Sequence, residues 1–189
     1  MKHLANIDDL MDFEEFQQYV DSRPEKEKWE LIDGVPVLNP SPVFPHQIIV
    51  RNLIGMFRDL ERSVRPDWTA IPGIGVRLSR TSAVEPDVMI RPMDRLASGY
   101  CDDMSVGFEV LSPSTAKRDL GWKRDAYARL PSMAHYVIIA PDEVKALVYS
   151  RADAWAERKF TGLRQTMTLA EIGATLKLAD IYCDLHFGG

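Results

Sequence analysis

Between Val106 and Ala140 the chain changes its apolar period twice, and that stretch limits the available folds more than any other. Val106, Phe108 and Val110 alternate along a strand that runs to Leu111. Ser112-Pro113-Ser114-Thr115 then supplies hydroxyls that can cap a helix running to about Leu130, just before Pro131. Residues 135–140 are the returning strand. Pro141-Asp142-Glu143 turns the chain, and strands at 144–149 and 155–160 extend the sheet antiparallel. The result is an α/β fold, a mixed sheet with helices on it.

The rest of the chain reads as parts of the same body. Asp12 can cap a short helix, with Glu15 completing a capping box and Phe13, Phe16 and Val20 forming its apolar side. Strands at 28–32 and 35–38 flank Asp33-Gly34, a two-residue hairpin signal. Prolines at 40, 42 and 45 lead into a helix over 46–63, with Ile49, Leu53, Met56, Phe57 and Leu60 inward. Strands follow at 68–71, 74–78 and 86–90. The tail from Thr166 to Gly189 reads as a short helix and an edge strand with no fixed place. There is no repeat and no Gly/Ser linker, so 189 residues suit one domain spanning 1–189.

Composition removes several classes of function. The first sixteen residues scatter acidic side chains and hold no secretory apolar run, and no stretch reaches membrane-spanning length. A cytoplasmic, soluble protein with no membrane partner is expected. Cys101 and Cys183 are far apart and lack the spacing of a zinc or redox pair. With His only at 3, 46, 135 and 186, no G-x-S-x-G and no H-E-x-x-H, serine-hydrolase and zinc-protease readings gain little. A formal charge of −5 argues against non-specific coating of nucleic acid. It leaves room for a local strip, and Lys117, Arg118, Lys123, Arg124 and Arg129 make 115–130 the most basic element. A charge run of this kind is usually a solvated face.

Two carboxylates interrupt apolar strands. In Glu85-Pro86-Asp87-Val88-Met89-Ile90, Val88 and Ile90 share one face and Asp87 takes the other. Glu109 likewise lies opposite Val106, Phe108 and Val110. Each acid alone could face solvent at an edge. If the strands pair, the acids converge, and like charges so placed require a cation or a shared proton. Oxygen ligands favour Mg²⁺ or Mn²⁺.

Lys123 intrudes on a helical stripe of Ala116, Leu120, Tyr127 and Leu130, so it either snorkels to water or pairs with those acids. Three further residues form a second tier. His46, at a helix start, could touch a phosphate or metal, or simply cap and pack. Glu30 could turn inward, although a polar alternate on a half-exposed strand is the default. Asp119 is most simply the i,i+4 partner of Lys123.

The ordered set Trp29-Glu30-Leu31-Ile32-Asp33-Gly34, His46, Glu85-Pro86-Asp87-Val88 and Phe108-Glu109-Val110-Leu111-Ser112-Pro113-Ser114-Thr115 resembles the Uma-two family, within the PD-(D/E)XK nuclease superfamily. The likeness continues through Asp119, Lys123 and Tyr127 to His135-Tyr136-Val137-Ile138. It implies a restriction-endonuclease-like core, a central mixed sheet flanked by helices, with Asp87, Glu109 and the Val110 carbonyl as Mg²⁺ ligands. It also implies metal-assisted hydrolysis of DNA phosphodiester bonds, with a lysine orienting the attacking water. Two departures stand out. Leu111 occupies the superfamily's usual lysine position, so that role passes to Lys123 or is unfilled. The stretch 130–137 also departs from the usual G-V-x-E-Y-W pattern. The alternatives are a nuclease-fold module that binds or regulates without cleaving, and an enzyme acting on another phosphate or ester. A homodimer would suit the cutting of two strands, though no residue demonstrates one.

Overall fold

The computed structural model describes residues 10–64, 66–93 and 99–187; His3 and the opening nine residues lie outside them. Helix α1 (Phe13–Asp21) starts with the expected capping box, Asp12 accepting from the Glu15 N–H while the Glu15 carboxylate accepts from that of Asp12. Strands β1 (Lys28–Ile32) and β2 (Val35–Asn39) form the hairpin. Its turn needs two residues at positive φ, met by Asp33 at 48° and Gly34 at 82°. Helix α2 (Phe44–Ser63) begins two residues before the expected start.

A central sheet of six strands has the order β10-β9-β8-β7-β6-β3. Its members are β3 (Trp68–Ile71), β6 (Val88–Pro92), β7 (Val106–Val110), β8 (His135–Ile139), β9 (Lys145–Ser150) and β10 (Glu157–Thr161). β7 and β8 pair in parallel, as a crossover helix requires, and every other pairing is antiparallel. The mixed sheet flanked by helices is therefore as the sequence indicates.

Two parts of the architecture differ from expectation. Strand β4 (Val76–Ser79) turns back into β5 (Ser82–Val84), a strand the pattern did not announce. Together with β1 and β2 they make a second, antiparallel sheet in the order β2-β1-β5-β4. The tail is a hairpin of β11 (Thr166–Leu169) and β12 (Ala174–Lys177), followed by the short α5 (Leu178–Ile181). Alternation explains its place: Met167, Leu169, Ala174 and Leu176 are buried and their neighbours exposed.

The central sheet has two apolar faces. Ile49, Leu53 and Phe57 of α2 and the C-terminal hairpin cover Val88, Ile90, Val106, Phe108 and Val110. On the opposite face Tyr127, Leu130, Met104 and Met133 pack on Met89, Tyr136 and Ile138. Met56 and Leu60 are only half-buried against the first cluster.

The crossover is not one regular helix. It comprises α3 (Ala116–Arg118), a wide π turn at Asp119–Lys123 and α4 (Arg124–Arg129). A π turn holds one extra residue and so shifts the helical phase. Leu120 consequently points outward at 36% exposure, while Asp119 and Lys123 turn inward at 1% and 2%. The Ser112 hydroxyl accepts from the Thr115 N–H in the turn before α3, while the N-cap itself, Thr115, makes no side-chain cap hydrogen bond, so the expected hydroxyl cap holds the turn rather than the helix's first N–H groups.

Candidate active site

The antiparallel register pairs Val88 with Phe108, Met89 with Gly107 and Ile90 with Val106. Continued by one residue, it sets Asp87 opposite Glu109. Asp87 Oδ2 accepts from the Val110 N–H at 2.8 Å and lies 3.0 Å from His46 Nε2. Its Oδ1 is 3.6 Å from Lys28 Nζ. Burial works against the Asp87 charge, but the His46 contact, Lys28 and the Val110 N–H together hold its carboxyl below the usual range.

Glu109 lies on the opposite side of β7 from the α2 cluster and points at the crossover helix. Its Oε1 takes Lys123 Nζ at 2.7 Å and the Tyr127 hydroxyl at 3.1 Å. Burial pushes its carboxyl up to about 8; Lys123 opposes this, and the neighbouring Asp87, Asp119 and Glu30 reinforce it. Lys123 also meets Glu30 Oε1 at 2.9 Å and Asp119 Oδ1 at 3.6 Å. Burial alone would strip its charge, yet the three carboxylates raise its pKa instead. The snorkelling alternative is thus excluded by position.

All three second-tier residues join this cluster. Glu30 is fully buried, and its Oε1 accepts from the Glu85 N–H while its Oε2 lies 3.1 Å from Arg118. The half-exposed default for Glu30 is corrected by the second sheet: β1 has α1 against Leu31 on one side and the crossover helix against Glu30 on the other. Asp119 is the expected i,i+4 partner, but as a buried acid rather than a surface one.

The basic helix is divided in the same way. Lys123 and Arg118 turn inward, Arg118 also reaching Asn39 Oδ1 at 2.5 Å, and Arg124 pairs with its neighbour Asp125. Of the five basic residues, Lys117 and Arg129 are exposed, so no continuous basic stripe results.

The sequence reading missed Lys28 and the inward role of Arg118. Lys28 shares a strand face with Glu30 by alternation, which is the signal that could have found it. It lies 3.3 Å from Glu85 and faces a cleft of about 570 Å³. Asp87, Glu109 and Lys123 line that cleft together with Pro40, Pro42, Val43 and Ser112 to Thr115.

Among the described residues no three His, Cys, Asp or Glu side chains form a ready metal cage. The donor set nevertheless suits a hard divalent ion. Asp87 and Glu109 each engage one oxygen fully, and among the described residues no hydrogen bond reaches Glu109 Oε2. In an extended strand a residue's N–H and C=O share an edge, so the Val110 carbonyl faces the Asp87 side. Asp119 Oδ1 is buried without a hydrogen bond. Mg²⁺ typically takes one or two carboxylates and completes its shell with water and substrate phosphate.

A central mixed sheet flanked by helices is the restriction-endonuclease-like core that the sequence resemblance implies. The chain belongs to the Uma2 family, described as "Putative restriction endonuclease", which matches residues 13–179. A crystal structure of "a putative nuclease" from Anabaena variabilis shares the fold, with a TM-score of 0.74 and 15% sequence identity. The match covers 88% of this chain and 96% of that one. No curated protein matches the sequence. Among the described residues no helix is long and apolar enough to cross a membrane.

Proposed function

We propose that the protein is a Mg²⁺- or Mn²⁺-dependent endonuclease that hydrolyses DNA phosphodiester bonds. The observation that carries the reading is the facing of Asp87 and Glu109 across β6 and β7 at the floor of a cleft, with Lys123 on Glu109. Asp87, Glu109 and the Val110 carbonyl would hold the ion, which when bound polarises the scissile phosphate and lowers the pKa of the attacking water. His46 and the Val110 N–H fix the Asp87 carboxylate so that it presents Oδ1. Lys123 keeps Glu109 in place, orients the water and offsets charge developing on the phosphate. Glu30 and Asp119 anchor the Lys123 ammonium.

The test is cleavage of labelled single- and double-stranded DNA with Mg²⁺, Mn²⁺ or EDTA by wild type, Asp87→Ala and Lys123→Ala. The expected result is metal-dependent cutting that falls at least about a hundredfold in both variants. Mn²⁺ binding by calorimetry, lost in Asp87→Ala, gives a readout independent of turnover. Wild-type activity no greater than that of Asp87→Ala on every substrate would replace this reading with a binding module.

A further inference from the structure

We infer, on the footing of that nuclease reading, that the cleft admits one unpaired DNA strand rather than an intact duplex, with Lys28 on the phosphate and Phe44 stacking on a base. The first observation is recession. The side chains of Asp87 and Glu109 are only 11% and 6% exposed. A duplex carries its phosphates on a convex surface, whereas a cleft of about 570 Å³ is of the size that encloses a small-molecule or single-nucleotide unit. A strand that can splay its nucleotides reaches such a floor, and a paired strand does not until it melts.

The second observation is the lining. The walls are largely apolar, with Pro40, Pro42, Val43, Leu111 and Pro113 among the lining residues. Duplex binding calls for Lys and Arg spread along two backbones. Here Arg118 and Lys123 are committed to buried acids; Lys28 pairs with Glu85 and Asp87 as well, but of the three lining cations its side chain is the most open, at 29%. One accessible cation beside a carboxylate pair suits a single phosphate. Apolar walls suit base faces.

The third observation is Phe44. It is 76% exposed at the start of α2, next to Val43, which is itself 61% exposed and lines the cleft. His46, one residue past Pro45, contacts Asp87. Phe44 is not itself a lining residue, but an exposed aromatic ring one residue from the cleft-lining Val43 is a stacking platform of the kind single-strand binders use, and stacking tolerates every base.

The experiment measures anisotropy of a short fluorescein-labelled DNA strand and of the same strand in a blunt duplex, with Ca²⁺ replacing Mg²⁺. Cleavage of both is then followed in Mg²⁺. Single-strand affinity at least about tenfold above duplex affinity is expected, falling about tenfold in Phe44→Ala and in Lys28→Ala. Phe44→Trp should retain it. Phe44 is exposed, so circular dichroism should show an unchanged fold. Equal affinity for both forms, or no binding of either, would overturn the inference; duplex cutting at the single-strand rate would overturn it and leave the nuclease reading standing. Selective single-strand binding without cleavage in any metal supports the inference while sinking the nuclease reading. If Phe44→Ala alters self-association but not strand binding, the exposed ring serves a second copy of the chain and the inference fails.

Discussion

Lys123 is the residue on which the site's electrostatics turn, because Glu109, Glu30 and Asp119 all converge on one ammonium. Replacing it by Met removes the ammonium shared by three buried acids and leaves Arg118 as the remaining cation beside Glu30. Lys123→Met should lose about 3–5 kcal/mol in urea denaturation with EDTA present, and adding Glu109→Gln should return part of that loss. A single-variant loss below about 1 kcal/mol would mean that Lys123 is not the cluster's counter-ion. Glu109 supplies a pH signature. Burial raises its carboxyl from 4.5 to about 8, so between those values the folded protein keeps a proton that the unfolded chain has released. That stabilisation is complete below pH 4.5 and lost as pH rises through about 8. Metal-free urea midpoints should therefore decline over this window, and Glu109→Gln should remove most of the slope. An unchanged slope in the variant would assign the titration elsewhere, for example to Asp119, whose carboxyl burial also raises. Asp87, Glu109 and Lys123 were legible because each breaks an apolar pattern. Glu30 and Lys28 were not, since a polar alternate on an isolated strand looks the same whether its face is covered or open.

At the scale of elements, the crossover helix shows how a correct element can carry an incorrect phase. Regular spacing puts Leu120 on the stripe with Lys123 and Tyr127, but the π turn at Asp119–Lys123 rotates Leu120 outward and Asp119 inward. Nothing in residues 119–123 fixes such a turn locally; the pull comes from Glu30 and Glu109, which belong to strands distant in sequence. Leu120→Gln should accordingly change stability by less than about 0.5 kcal/mol. A loss of about 2 kcal/mol or more would restore Leu120 to the core. The hairpin carrying Glu30 was fully legible, because Asp33-Gly34 specifies the turn chemically. Gly34 sits at φ 82°, and an added Cβ would lie 2.7 Å from that of Leu10. Gly34→Ala should cost at least about 1–2 kcal/mol. It should also weaken metal binding, since Trp122 of the π turn donates to Asp33 Oδ2 in that same hairpin.

For the whole molecule, the site gathers residues from both sheets, from α2 and from the crossover. Asp87 leads into β6, Glu109 lies on β7, Lys123 on the crossover, Glu30 and Lys28 on the second sheet, and His46 on α2. The run from β6 to β10 was legible as a mixed sheet because each connection there joins strands that are neighbours in sequence, whereas β3 pairs with β6 across the intervening β4 and β5. The second sheet was not, since β1 reaches β5 only across α2 and β3, and a strand of three residues carries no periodic signal. Two of the units so joined bring acids that repel one another, so an ion bound between Asp87 and Glu109 should tighten the whole assembly. A ligand that binds only the folded state at about a hundred times its Kd adds about 2.7 kcal/mol. Saturating Mn²⁺ should therefore raise the thermal midpoint of the wild type by several degrees, with the larger gain near pH 8, where proton release from Glu109 leaves more repulsion to neutralise. Asp87→Asn keeps the side chain's size and a carbonyl acceptor but removes half of the charge pair, and its midpoint should be indifferent to Mn²⁺. A shift of equal size in Asp87→Asn would place the ion elsewhere. A wild type indifferent to Mn²⁺ and Mg²⁺ at every pH would leave Lys123 as the cluster's resident cation and remove the metal from the site.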